Sequence, residues 1–471
     1  MAAKPLVLGA APISNASKQI RAEQLSVIER QVLIRLRARA SVSELKHLLL
    51  SKAKVVDSET NLVIVQFPKK VTPGDLSFIK SIPTVDWAVI DRAETEQLET
   101  GTCVQESVSI PASIASVAEV VAPPACSISE KCESTGRTKL WAQEEVDADL
   151  MMAELNKLGL LKEMARVAVV EEGFDQKHRA SMMAKPPVLR KGSFWWSDVE
   201  PGVDKTGHGT PVSSMIGGAE GLGVAPNVEI GIFASPASFA GSSIAARRAC
   251  NKGYEIINYS HSSRESQQRI YSEAEIKFAQ DLKESGCILV SSAGNWAWQQ
   301  KFSDDLEDSR LLVSASSPFT GALARFSTTG EVTAPGDQVF ALIDSANKFE
   351  IPSGRFSGCG KDSTALFVEG TSFSTPIVSG IAANVMIVLK KSKRFRKLAP
   401  GQRVGLVNRI LKASELGGTV NGLRAVQIAD RWEKQRLPAA VPITGLKSAL
   451  NSTRDPVCDQ ANLHKRTELQ N

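Results

Sequence analysis

Five short apolar runs, spread through residues 140–436, do most to limit how this chain can fold. "ARVAVV", "EIGIFA", "YEIINYS", "CILVSSAG" and "RLLVSAS" read as strands, with helical patterns between them. Strands that alternate with helices join through crossover units, so the pattern predicts an α/β domain on a doubly wound, mostly parallel sheet. The stretch "RVAVVEEGFD" (166–175) reads as a buried strand that runs into a turn at Gly173. Two carboxylates, Glu171 and Glu172, stand where that strand ends.

A smaller unit precedes this domain. In "VLIRLRA", Ile34 and Leu36 alternate with Arg35 and Arg37, which predicts a half-buried strand. Ser41 to Glu44 form a capping box ahead of Leu45, Leu48 and Leu49. "AKVVD" and "NLVIVQF" read as a strand pair, Thr72-Pro73 starts a second helix, and "TVDWAVID" closes the unit. The order βαββαβ over 31–92 is that of a small α+β, ferredoxin-like domain. Residues 1–30 form a polar lead-in. Residues 93–139, rich in Ser, Ala, Val and Pro, read as a linker, and residues 437–471 as a mobile tail.

The 471 residues, 42% of them hydrophobic, suffice for a large core and a second domain. A net charge of +5 is too small an excess to argue for nucleic acid. The basic run Lys390–Lys397 reads as cations at the end of a long helix, with Phe395 a packing residue. No apolar run approaches the roughly 20 residues that span a membrane, and Gly380–Leu389 reads as a buried helix. The N-terminus lacks a signal-peptide core, so a cytoplasmic location is expected. The seven cysteines are odd in number and lack metal-ligand spacing, which predicts mostly free thiols, Cys126, Cys132 and Cys359 among them.

Three stretches in the α/β domain could carry chemistry. Gly207-His208-Gly209-Thr210 sets an accessible histidine at a helix start. Ser291-Ser292-Ala293-Gly294-Asn295 follows an apolar strand and sets an amide at its carboxyl end, where open α/β sheets bind ligands. Gly370-Thr371-Ser372-Phe373-Ser374-Thr375-Pro376 opens a long apolar helix, with Ser372 at the N-terminus that favours developing negative charge. A lone histidine or a serine before a helix is usually structural. Together, however, they supply a nucleophile, a base and an oxyanion donor, with an acid at the first strand: a kit for acyl transfer.

In that order, "GHGT", "SSAGN" and "GTSFSTP" resemble the subtilase family of subtilisin-like serine proteases, over roughly 140–436. "GLGVAPNVEI", "ARFSTTGEVTAPG" and "NGLRAVQIA" fit as well. The resemblance implies a subtilisin-like fold with Ser372 as nucleophile, His208 as general base and Asn295 in the oxyanion hole. It sets Ser260, Ser292 and Gly294 along the substrate cleft, and makes a protein or peptide the substrate. The βαββαβ unit is similar to the family's inhibitory propeptide, which implies a self-processing zymogen. No cofactor is implied. Family members often bind structural calcium, but no acidic loop here is dense enough to name ligands.

The clearest departure is at the third triad position, where the family has Asp-Ser/Thr-Gly and this chain has Glu171-Glu172-Gly173. Glutamate keeps the charge but adds about 1.5 Å of reach, so the strand or the histidine helix must shift. Glu172 is expected to be solvated or salt-bridged, and Asp204 to anchor its loop. Asp175 is a poor substitute for Glu171. An acid-active sister group with a glutamate base does not fit, because His208 and Asn295 are both present. In "NYSHSSRES", His261, Ser262 and Ser263 replace the usual Ser-Leu-Gly-Gly run and would alter the cleft wall. Two readings follow: an active endopeptidase, or a catalytically silent relative that binds peptides.

Overall fold

A computed structural model describes residues 26–49, 52–92, 140–193, 199–261, 273–297, 308–318, 322–345 and 365–451. The expected linker at 93–139, Ser262, Ser263, the end of the tail and the cysteines other than Cys250 and Cys287 lie outside them.

The N-terminal unit has the expected order: β1 (Gln31–Leu36), α1 (Val42–Leu49), β2 (Lys54–Glu59), β3 (Leu62–Gln66), α2 (Pro73–Ser81) and β4 (Val85–Ile90). Its antiparallel sheet runs β2-β3-β1-β4. Side chains alternate across a strand. Val32, Ile34 and Leu36 therefore pack with Leu45, Leu49 and Ile79 beneath the unit's own helices. Leu33, Leu62, Ile64 and Trp87 emerge on the other face. That face is buried too, so β1 is not the half-exposed strand its alternating arginines suggested. Arg35 instead reaches Asp281 at 2.6 Å.

The second domain follows. Its first helices are α3 (Trp141–Glu145) and α4 (Ala148–Lys157). Next come β5 (Arg166–Glu171), α5 (Gln176–Arg179), β6 (Val188–Lys191), α6 (Gly209–Gly217), β7 (Glu229–Ala234) and α7 (Phe239–Asn251). The chain continues through β8 (Ile256–Tyr259), α8 (Glu273–Glu284), β9 (Ile288–Ser292), β10 (Arg310–Ser316) and β11 (Val332–Pro335). A side pair, β12 (Val339–Leu342) and β13 (Ala365–Val368), leads into α9 (Thr371–Lys390). The remaining helices are α10 (Lys393–Lys397), α11 (Pro400–Ala413), α12 (Gly422–Lys434) and α13 (Ile443–Asn451).

The main sheet has seven parallel strands, ordered β11-β10-β9-β8-β5-β7-β6, with helices on both faces. The doubly wound α/β expectation holds. One face meets α6, α9 and α12, and α9 is buried from Thr371 through Leu389. By length and composition α9 could span a membrane, yet all of its apolar window lies inside the fold. It starts well before Gly380 because Thr371 to Ile377 already wind as helix. Phe395 is buried edge-on to Trp432, as a packing residue should be.

The other face carries α7 and α8, and the N-terminal sheet docks on these helices. Arg248 on α7 pairs with Asp57 and Glu59, and Arg92 pairs with Glu275. The end of β4 caps α7: Phe239 N–H donates to the Arg92 carbonyl and Ala240 N–H to Asp91 Oδ1.

Two expectations are corrected. Cys250 and Cys287 are not free thiols but form a disulfide, Cα to Cα 5.9 Å. They meet because the end of α7 lies beside the start of β9, an adjacency that a separation of 37 residues conceals. The expected tail is also ordered in its first part, where α13 packs Leu446 and the preceding segment packs Val441 into the core.

Candidate active site

The candidate residues collect at the carboxyl ends of β5, β8 and β9 and the first turns of α6 and α9. Ser372 is the second residue of α9. Pro376, four residues on, has no N–H and cannot donate to the Ser372 carbonyl as a helix would require. Ser260, just beyond β8, fills that gap: its Oγ donates to the Ser372 carbonyl at 2.9 Å. In return the Ser372 Oγ donates to the Ser260 carbonyl at 3.0 Å. Asn258 Nδ2 donates to Ser260 Oγ, and Ser379 Oγ donates to Asn258 Oδ1. Ser260 is 1% exposed and braces the first turn of α9.

Asn295 follows β9. Its side-chain oxygen accepts from both the N–H and the hydroxyl of Thr371, each at 2.9 Å. This clamp fixes which way the amide faces and leaves Nδ2 as its donor end. The Ser372 N–H lies in the first turn of α9, where N–H groups have no acceptor within the helix. Gly294 donates its N–H to Thr371 Oγ1 at 3.0 Å, and Ser292 Oγ donates to the His261 carbonyl at 3.1 Å. Thr371 thus ties Asn295 and Gly294 to the start of α9, a tie that its place beside Ser372 in the motif does not announce.

His208 sits just before α6. The loop ahead of it is anchored by Asp204, as expected: Oδ1 accepts from Gly207 N–H at 2.9 Å and Oδ2 from Thr210 N–H at 2.7 Å. Burial pushes the Asp204 carboxyl up to about 6 against the hydrogen bonds from Thr210. Gly173 turns the chain with φ +140°, and Gly209 passes so close that a Cβ there would lie 2.0 Å from the Gly173 carbonyl oxygen. The two glycines let α6 start against the end of β5. Glu171 Oε2 comes to 3.0 Å from His208 Nδ1, with both side chains buried. A carboxylate accepts, so Nδ1 carries the hydrogen and Nε2 is left as the basic nitrogen. The Phe373 ring stands 5.5 Å from the His208 ring, which joins the serine and histidine parts of the site.

The neighbouring acids have other partners. Glu172 is buried, not solvated, because the segment before α7 covers it and Ala237 N–H donates to Oε1 at 3.1 Å. Asp175 caps α5 and accepts from Ser345 N–H. His261 is not a surface feature of the cleft wall. It is 1% exposed and turns towards Glu171. Among the described residues, no group of three or more His, Cys, Asp or Glu could hold a metal ion.

The family model described as the subtilase family matches residues 163–403, just over half of the chain. A probable subtilase-type serine protease of Deinococcus radiodurans is 28% identical over 207 residues. That match takes in 40% of this chain, which spans only 26% of the relative's length.

Proposed function

This chain belongs to the subtilase family, and from that premise we propose that it is a serine endopeptidase that cleaves peptide bonds through an acyl-enzyme. The carrying observation is the 3.0 Å contact between His208 and a glutamate that keeps the charge of the family's aspartate. In this reading His208 Nε2 takes the proton of Ser372 Oγ as that oxygen attacks the scissile carbonyl. Glu171 holds the imidazole in the required tautomer and stabilises the imidazolium. Asn295 Nδ2 and the Ser372 N–H receive the oxyanion. The imidazolium then protonates the leaving amine, and water hydrolyses the acyl-enzyme by the same route reversed. The Ser372 hydroxyl must first rotate from the Ser260 carbonyl, and catalytic hydrogen bonds often tighten only once substrate is bound.

The N-terminal unit fits a propeptide that is cut by its own enzyme. Its last strand ends at the turn before α7, and Glu172 beneath that turn adjoins Glu171. Chain leaving Arg92 therefore starts near the carboxyl end of the parallel strands, the end that carries the candidate site.

The alternative, a silent peptide binder, draws support from the Ser372 hydroxyl being held by Ser260. Fluorophosphonate labelling and intact mass separate the two readings. The wild type is expected to label and to shed an N-terminal fragment, while Ser372→Ala does neither. Subtilisin, a member of this family, loses about 10⁶-fold in turnover without its serine. A wild type that stays full length, and that remains unlabelled even once the N-terminal unit is cut away, supports the silent reading.

A further inference from the structure

Glutamate in place of aspartate raises a mechanical problem. The longer side chain has one more rotatable bond, and a buried carboxylate that swings by about 1 Å can cost on the order of 10²-fold in rate. His208 meets it at Oε2, and His261 approaches that same oxygen. β8 runs parallel to β5, with Asn258 opposite Val169, so the residues just past β8 lie beside Val170 and Glu171. His261 Nε2 is 2.8 Å from the Val170 carbonyl and 3.4 Å from Glu171 Oε2. A carbonyl only accepts, so Nε2 carries a hydrogen, and Oε2 lies near that same N–H.

The ring is itself held in place. Tyr259 meets it edge-on at 5.7 Å, and Ser292 Oγ fixes the His261 carbonyl. The Glu171 oxygen that faces His208 is also the one that His261 approaches. We propose that His261 is a positioning residue for the triad: it pins the last turn of β5 and one oxygen of Glu171, so that a glutamate can serve where the family has an aspartate. This rests on the peptidase reading above for its catalytic consequence, but not for its geometry.

The test compares His261→Leu with His261→Gln. Glutamine sets its Nε2 the same number of bonds from Cα as histidine does, so it can still donate to the Val170 carbonyl. The leucine variant is expected to lose about 10²-fold in kcat with little change in KM, by the misplacement argument. The glutamine variant should recover most of the loss. Glu171→Asp should cost much less alongside His261→Leu than alone.

A second measurement needs no activity. In Ser372→Ala protein, the proton between His208 and Glu171 should give a low-field NMR resonance. It should survive His261→Gln and vanish with His261→Leu, while thermal stability is retained. A resonance and a kcat indifferent to His261→Leu overturn the proposal. So do equal losses in the leucine and glutamine variants. If the wild type neither turns over nor labels, yet the resonance depends on His261, the positioning role stands and the peptidase reading fails.

Discussion

The site has two halves, and they are held by different physics. Around Ser372 every named partner is neutral: Ser260, Asn258, Ser379, Thr371 and Asn295 form a chain of ordinary hydrogen bonds. Around His208 the partners are ionisable and buried: Glu171, His261 and Asp204. Neutral hydrogen bonds tolerate burial once satisfied, whereas buried charge depends steeply on its partners. The serine half keeps the family's pattern, with Gly370 to Pro376 and Asn295 in their places. The histidine half is where the chain departs from it, at Glu171 and at His261. A change among charges is hard to make alone, so two neighbouring departures in one half are what coupling would produce.

The largest test of this contrast removes charge from the ionic half without changing its shape. Glu171→Gln keeps the size of the side chain but can offer its amide to His208 Nδ1, which inverts the tautomer. The corresponding change in trypsin lowers kcat by about 10⁴-fold, and a loss of that order in kcat is expected here. Steady-state kinetics of the variant beside the wild type, prepared in the same way, would read it. A loss below tenfold would mean that Glu171 does not orient His208 in turnover, and the two halves would no longer differ in kind.

The neutral half should be less sensitive. Asn295→Leu removes one of the two proposed oxyanion donors and the Thr371 clamp, yet leaves no buried charge unpaired. In subtilisin, loss of the equivalent donor lowers kcat by about 10²–10³. A similar loss with unchanged KM is expected in steady-state kinetics. A loss as large as that of Glu171→Gln would break the comparison, because Thr371 and the α9 turn would then depend on Asn295 for their fold.

The same contrast explains what could be read from the sequence. Gly207 to Thr210 and Gly370 to Pro376 carry their geometry within a few residues, so helix start and turn were legible, but His208 is buried rather than accessible, because Glu171 and Phe373 close on it from distant elements. The parallel sheet was legible because its longer strands are apolar runs. Of the five four-residue strands, only β8 showed as an apolar run; β6, β11, β12 and β13 left no such signal. His261 was visible only as a departure, since its partner lies 90 residues away in sequence and meets it through the β5–β8 pairing. The Cys250–Cys287 bridge and the second buried face of β1 were hidden for the same reason. Each depends on which element becomes a neighbour, and residue spacing does not report that. Glu172 looked solvated because the segment that covers it arrives some 65 positions later.

The smallest expected effect concerns stability and sharpens the contrast through pH. Asp204 is 2% exposed, and burial pushes its carboxyl up to about 6 from the usual 3.8. A raised folded value means that the fold favours the protonated form. That contribution is full below about pH 4 and is lost as pH rises through about 6. Asp204→Asn stays neutral throughout, so it lacks the loss, although its amide faces an N–H and adds a penalty that does not vary with pH. The melting temperature of the variant minus that of the wild type, both carrying Ser372→Ala, should therefore become more positive between pH 4 and 8. A rise from 3.8 to about 6 corresponds to on the order of 2–3 kcal/mol, or several degrees. A matched pair such as Thr371→Val, from the neutral half, should give a difference that is flat across the same range. If the Asp204 difference is flat too, the hydrogen bonds from Gly207 and Thr210 fully offset its burial, and the histidine half carries its charge without strain.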